Sequence, residues 1–150
     1  MRLLLLRHGE ASYTAPSDEQ RQLTDRGRLQ LQQMLRLNAA ELVGVERIVH
    51  SPFVRTCQTA DLVRQVQPAE LLPLALLTPE SSPQRVLDWL AEQADDVLIL
   101  VTHQPLIGSL VSLLCEGNLT RPEPMLPGAM AIIELAFPAA GLGQLQRLLR

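Results

Sequence analysis

Residues 1–10 read Met1-Arg2-Leu3-Leu4-Leu5-Leu6-Arg7-His8-Gly9-Glu10. Four leucines in a row, with no polar alternation, mark a strand buried on both faces, as in a parallel sheet covered by helices. The run is shorter than the ~7–15 apolar residues of a signal-peptide core. Arg47-Ile48-Val49-His50 and Val97–Val101 read the same way. Leu71–Leu77 offers another short strand, weakened by Pro73, and Met130–Phe137 offers an edge strand. Gln144–Leu149 is too short for periodicity to decide between strand and helix.

Helical patterns separate these runs. Thr24 caps a helix that presents Leu31, Met34, Leu35 and Leu42 on one side. Ser51-Pro52 reads as N-cap followed by proline at the first helical position. Ser82-Pro83 repeats that signal before Val86, Leu87, Leu90 and Ala94, with Trp89 assigned to core packing. Pro105 opens a helix carrying Leu106, Leu110, Val111 and Leu114. Strand and helix therefore alternate four times. The pattern predicts a three-layer α/β/α fold with a mainly parallel central sheet, formed by one domain over residues 1–150.

Composition narrows the function classes. A net charge of −3 gives no electrostatic support for nucleic-acid or anionic-membrane binding by the chain as a whole. No stretch approaches the ~20 apolar residues of a membrane span, so a cytoplasmic protein is expected. Cys57 and Cys115 form no metal-type or disulfide framework. All 13 basic residues are arginine, so a bound phosphate must be held by guanidinium, imidazole or backbone N–H, unless a metal holds it.

In sheets of this kind ligands bind beyond the carboxyl ends of the strands. Those ends carry Arg7-His8-Gly9-Glu10, Ser51-Pro52-Phe53-Val54-Arg55 and Thr102-His103-Gln104-Pro105. Three strand ends thus bring two arginines and two histidines to one edge. Gly9 permits a tight turn and close backbone approach to a ligand. Arg55 and His103 stand near helix N-termini, which attract anions through free N–H groups. A neutral imidazole attacks phosphorus well, and arginines stabilise charge on the equatorial oxygens without a metal. Glu10 is expected to shape the turn or pair with an arginine, and His50 to be structural.

These residues also carry a family resemblance. Arg7-His8-Gly9-Glu10, Leu23-Thr24-x-x-Gly27, Ser51-Pro52-x-x-Arg55, Gln58-Thr59-Ala60 and Thr102-His103 resemble the histidine phosphatase (phosphoglycerate mutase-like) superfamily. The short size, Arg21, the Ser-Pro-Phe-x-Arg form and Leu77-Thr78-Pro79 resemble its short SixA-type phosphohistidine phosphatases. The resemblance implies a phosphoglycerate mutase-like fold. It implies a metal-independent hydrolase without cofactor, with His8 transiently phosphorylated and Arg7, Arg55 and His103 around the phosphoryl group. Gly9 and Arg21 would contact substrate, Arg21 at the rim.

Larger relatives carry an acid for the leaving oxygen. Glu80 lies near that place in unlike surroundings, and Thr14 replaces their asparagine. An alkoxide needs such an acid, being about as basic as hydroxide (pKa of water ~15.7), whereas imidazole, with a conjugate-acid pKa of ~6.5, does not. The expected substrate is a phosphorylated protein, such as a phosphotransfer domain or phosphocarrier in signal transduction. A small phosphorylated metabolite is the alternative, with Glu80 as possible general acid, and a non-catalytic phosphate-binding module is the third reading.

Overall fold

The computed structural model describes residues 1–150. In chain order the elements are β1 (Arg2–Arg7), α1 (Asp25–Leu37), β2 (Arg47–His50), α2 (Val54–Val66) and β3 (Glu70–Pro73). There follow α3 (Pro83–Leu90), β4 (Val97–Thr102), α4 (Leu106–Glu116), β5 (Met130–Leu135) and β6 (Gly143–Leu149). Short 3-10 turns occupy Asp18–Gln20, Ala39–Leu42 and Ala75–Leu77.

One six-stranded sheet runs in the order β3-β2-β4-β1-β5-β6. The first four strands in that order pair in parallel, and β5 and β6 add antiparallel. The fold is α/β, and its sheet is mainly parallel. The last segment resolves as a strand that completes the edge beside β5.

The leucine run explains the layering. Successive strand side chains point to opposite faces. Leu3 and Leu5 join Val49, Leu98 and Leu100 in one core under α3 and α4. Leu4 and Leu6 join Ile48, Ile99 and Val101 in a second core under α1 and α2. All four leucines are fully buried, so each contributes about 1.5–3 kcal/mol relative to exposure.

Several boundaries differ from the sequence expectation. Asn38 ends α1, so Leu42 is buried from the following 3-10 turn and not from the helix. The strand at Leu71 stops at Pro73 on the sheet edge, where a missing N–H costs least. Ala94 lies beyond α3, and β5 ends at Leu135. Ser82 and Thr24 do cap their helices, accepting N–H bonds from Arg85 and Gly27. Ser51 does not cap α2, which starts at Val54 with Phe53 as its N-cap. No helix is long and apolar enough to cross a membrane.

Candidate active site

The three central strands β2, β4 and β1 are neighbours, and their carboxyl ends hold the site. Backbone pairing sets the depth of each residue. The His8 N–H donates to Thr102 O at 3.1 Å, and Ser51 N–H donates to Val101 O at 3.0 Å. Arg7, His8, Ser51 and His103 thereby share one level of the sheet edge.

The loop after β1 is clamped onto two helices. Thr59 Oγ1 accepts the Gly9 N–H at 3.2 Å and donates to Arg55 O at 2.8 Å. Glu10 O accepts the Thr24 N–H at 3.0 Å, and Thr24 Oγ1 donates to Glu10 Oε1 at 2.8 Å. Glu10 therefore shapes the turn, as expected. A Cβ on Gly27 would collide with the Glu10 backbone, and one on Gly9 would strike Leu31 and approach the Gly27 carbonyl. Gln58 accepts the Leu23 N–H at 2.8 Å, which ties the polar loop of residues 11–23 to α2.

His8 is buried, with Nδ1 2.7 Å from Gly9 O. Since a carbonyl only accepts, the proton sits on Nδ1 and leaves a lone pair on Nε2. That lone pair accepts Arg55 Nε–H at 3.3 Å. Burial, with the adjacent Arg55, Arg7 and Arg21, lowers the His8 pKa to about 3. The ring is thus neutral and nucleophilic at ordinary pH.

His103 lies beside it, the ring centroids 5.1 Å apart in an edge-to-face pair, with Phe53 against its other side at 5.1 Å. Burial above all lowers its pKa to about 2, aided by His8, Arg55 and Arg7. Its Nε2 is 2.8 Å from Ser51 Oγ. Arg7 donates through Nη1 to Met125 O at 2.7 Å. Across the whole chain, two buried side-chain polar atoms lack a partner, Arg7 Nε and His103 Nδ1. Buried polar atoms are nearly always paired, so two orphans on the residues beside His8 mark a place built for something else.

Arg55 is only 3% exposed, and a guanidinium so buried needs an anion. Asp18 supplies it, through its backbone O at 2.6 Å and Oδ2 at 3.2 Å. Asp18 Oδ1 also accepts from Arg21 at 3.0 Å. The Arg21 bond first, then the Arg55 charge and its bond, hold the Asp18 carboxyl below its usual range, against an opposing contribution from burial. Burial first of all lowers the Arg7 and Arg55 pKa values. Arg21 donates from Nε to Ser12 O at 2.9 Å and stacks 4.1 Å over the exposed Tyr13 ring.

A cleft of about 470 Å³ opens beside His8, lined by Arg7, His8, Ser12, Tyr13, Arg21 and Thr24 among others, while Gly9, Arg55 and His103 are not among its lining residues. Glu80 is exposed on the turn beyond Ala75–Leu77. His50 is buried, its Nδ1 bonded at 2.8 Å to Ser51 O. Cys57 and Cys115 are free thiols. No cluster of three or more His, Cys, Asp or Glu side chains is arranged to hold a metal ion.

Sequence reading brought Arg7, His8, Gly9, Arg21, Arg55 and His103 to this place. It missed Asp18 and Tyr13, in a polar stretch without periodicity. It also missed Ser51 as a partner of His103, having read the serine as a helix cap.

Comparison with known proteins gives the same family. Residues 3–77 match the model of the Histidine phosphatase superfamily (branch 1). Phosphohistidine phosphatase SixA of Escherichia coli is 32% identical over 142 residues, covering 90% of this chain and 86% of that protein. The SixA homolog of Haemophilus influenzae is 35% identical over 124 residues, covering 75% and 76%. The solved structure of the protein histidine phosphatase SixA complexed with tungstate superposes with a TM-score of 0.88 at 29% identity, covering 99% and 96%. With its motif residues converging on a neutral, buried His8, this chain belongs to the histidine phosphatase superfamily.

Proposed function

We propose that this protein is a phosphohistidine phosphatase that removes phosphoryl groups from a phosphorylated protein by way of a phosphohistidine on His8. One observation carries the site assignment. The two unpartnered buried side-chain nitrogens of the molecule, Arg7 Nε and His103 Nδ1, belong to the residues beside the one imidazole whose lone pair faces a guanidinium. The names of the similar proteins support the substrate class.

The reaction follows from these groups. A phosphoryl group entering the cleft takes over the Arg55 N–H that now rests on His8 Nε2. Nε2 attacks phosphorus, the substrate P–N bond breaks, and its electron pair returns to the departing nitrogen, the substrate ring leaving as neutral imidazole because its other nitrogen carries a proton. Arg7, Arg55 and a His103 N–H receive the charge on the equatorial oxygens. Water then attacks phosphorus, the bond to Nε2 breaks and its electron pair returns to that nitrogen; His8, still protonated at Nδ1, leaves as neutral imidazole, and the water oxygen becomes the fourth oxygen of the phosphate, which keeps one water hydrogen and passes the other to solvent. Gly9, held by Thr59, sets the ring's depth, and Arg21 with Tyr13 forms the rim that meets the substrate protein. None of these steps calls on a metal. An imidazole leaving group needs no strong acid, so this reaction does not depend on Glu80. A cytoplasmic phosphotransfer domain or phosphocarrier of a signalling relay fits this chemistry.

The deciding experiment compares turnover of a phosphohistidine protein with a panel of phosphate monoesters, for wild type, His8→Ala and Glu80→Gln. Preferred phosphohistidine turnover, acid-labile label on wild type only, and a small effect of Glu80→Gln are expected. A drop of about 10²–10⁴-fold in Glu80→Gln would instead point to the metabolite phosphomonoesterase. Label on a residue other than His8 would reject the nucleophile.

A further inference from the structure

Ser51 is fully buried in the loop between β2 and α2. Its backbone is spoken for: the N–H donates to Val101 O, and the carbonyl accepts Thr56 Oγ1 at 2.8 Å. Its hydroxyl oxygen accepts the Phe53 N–H at 3.3 Å. The hydroxyl hydrogen then has one acceptor within reach, Nε2 of His103 at 2.8 Å. With Ser51 donating, one buried atom, the Nδ1–H, is left without a partner in the protein. The opposite polarity, with His103 Nε2–H donating to Oγ, would leave two, the serine hydrogen and a bare Nδ1, and each unpaired buried polar group costs free energy.

The direction of this one bond decides what His103 can offer. Burial keeps the ring uncharged, and a neutral imidazole carries a single N–H. If Ser51 donates to Nε2, the proton is on Nδ1, the ring's unpartnered buried atom. Were the proton on Nε2, Nδ1 would present a lone pair, which repels phosphoryl oxygens.

We propose that Ser51 is a positioning residue: by donating to Nε2 it locks the neutral His103 into the Nδ1–H tautomer, the form able to donate to a phosphoryl oxygen. This rests on the reading of the site as one for phosphoryl transfer. The serine of Ser51-Pro52-x-x-Arg55 thus acts through the second histidine, whereas Arg55 acts on the phosphoryl group itself.

Long-range proton–nitrogen NMR of wild type labelled at histidine nitrogens reads the tautomer directly. A protonated Nδ1 and unprotonated Nε2 on His103 are expected; a proton on Nε2 overturns the proposal. Ser51→Ala should release the lock, giving a mixed or reversed tautomer. Its kcat on a phosphohistidine protein should fall about 10- to 100-fold, the effect of one hydrogen bond to a charged group, with a smaller change in KM. Ser51→Thr, which keeps the hydroxyl, should restore the tautomer and part of the rate. An unchanged tautomer in a folded Ser51→Ala protein also overturns the proposal. Should that variant fail to fold, the wild-type spectrum still decides. Wild type with Nδ1–H but no turnover of phosphorylated substrates would defeat the enzymatic reading and support the tautomer. Turnover with the proton on Nε2 would do the reverse.

Discussion

Acidification from about pH 7.5 to about pH 5 should remove about 4 kcal/mol of folding stability, through two histidines. His8 is held at about 3 and His103 at about 2, both from 6.5. Below 6.5 the unfolded chain takes up a proton on each ring while the folded chain takes up none. Stability therefore falls as pH falls, by about 1.4 kcal/mol per pH unit and ring. The loss stops only where the native rings themselves protonate, near 3 and 2. At about pH 5 each ring has cost about 2 kcal/mol, a large part of the ~5–15 kcal/mol typical of a domain. Carboxylates, which titrate near ~4 when unfolded, add little above about pH 5. Asp18, with its lowered pKa, contributes stability that is lost only further into acid. Urea unfolding, followed by Trp89 fluorescence and circular dichroism across this pH range, measures the slope. His103→Asn should roughly halve it. Urea midpoints in wild type that do not move with pH, or the same slope in His103→Asn, would refute the reasoning.

Arg55→Lys should lower kcat/KM by about 10²–10³-fold although the charge is kept, because lysine cannot serve the Asp18 contacts and His8 with one planar fork; steady-state kinetics on a phosphohistidine protein checks this. Asp18→Asn removes the carboxylate that competes for Arg55 and Arg21 and should tighten inorganic phosphate binding by up to about fivefold in calorimetry, the scale of a half-exposed ion pair. Weaker binding there would mean that Asp18 positions Arg55 and does not compete. Gly27→Ala drives a methyl into the Glu10 backbone, and should cost about 1–3 kcal/mol in thermal denaturation and depress activity by moving the His8 loop.

The parallel half of the sheet was legible because burial on both faces leaves a continuous apolar run, as in Leu3–Leu6 and Val97–Val101. The β5–β6 edge was less so. β6 buries Gly143 but exposes Gln144, Leu145, Gln146 and Arg147, so its sequence has neither a strand's alternation nor a helix's stripe. Arg7, His8, Arg55 and His103 were legible because each follows an apolar run or opens a helix. Asp18 was not, since its contact with Arg55 spans 37 positions and nothing local to residues 14–20 signals it. Ser51 misled because Ser-Pro is a strong helix start, and here its hydroxyl is engaged by His103 while the helix begins three residues later.

The strand order also governs when the site can exist. β1 and β2 do not pair; β4 lies between them and pairs with both, and the other partner of β1 is β5. A ribosome that has made His8 and Arg55 has therefore made two strands with no bond to each other. The β1 loop can already reach α2 through Thr59 and Gln58, but the strand that bridges β1 to β2 comes only from residue 97 onward. Until then four bare leucines have no partner on either side, a segment of the kind that associates with other chains. When β4 slides into the gap, it joins β1 to β2 and delivers His103 in the same motion, leaving the other edge of β1 for β5. A nascent or truncated chain that stops short of it would expose that sticky strand without any reactive pocket, so the pocket and the first cover for β1 arrive together.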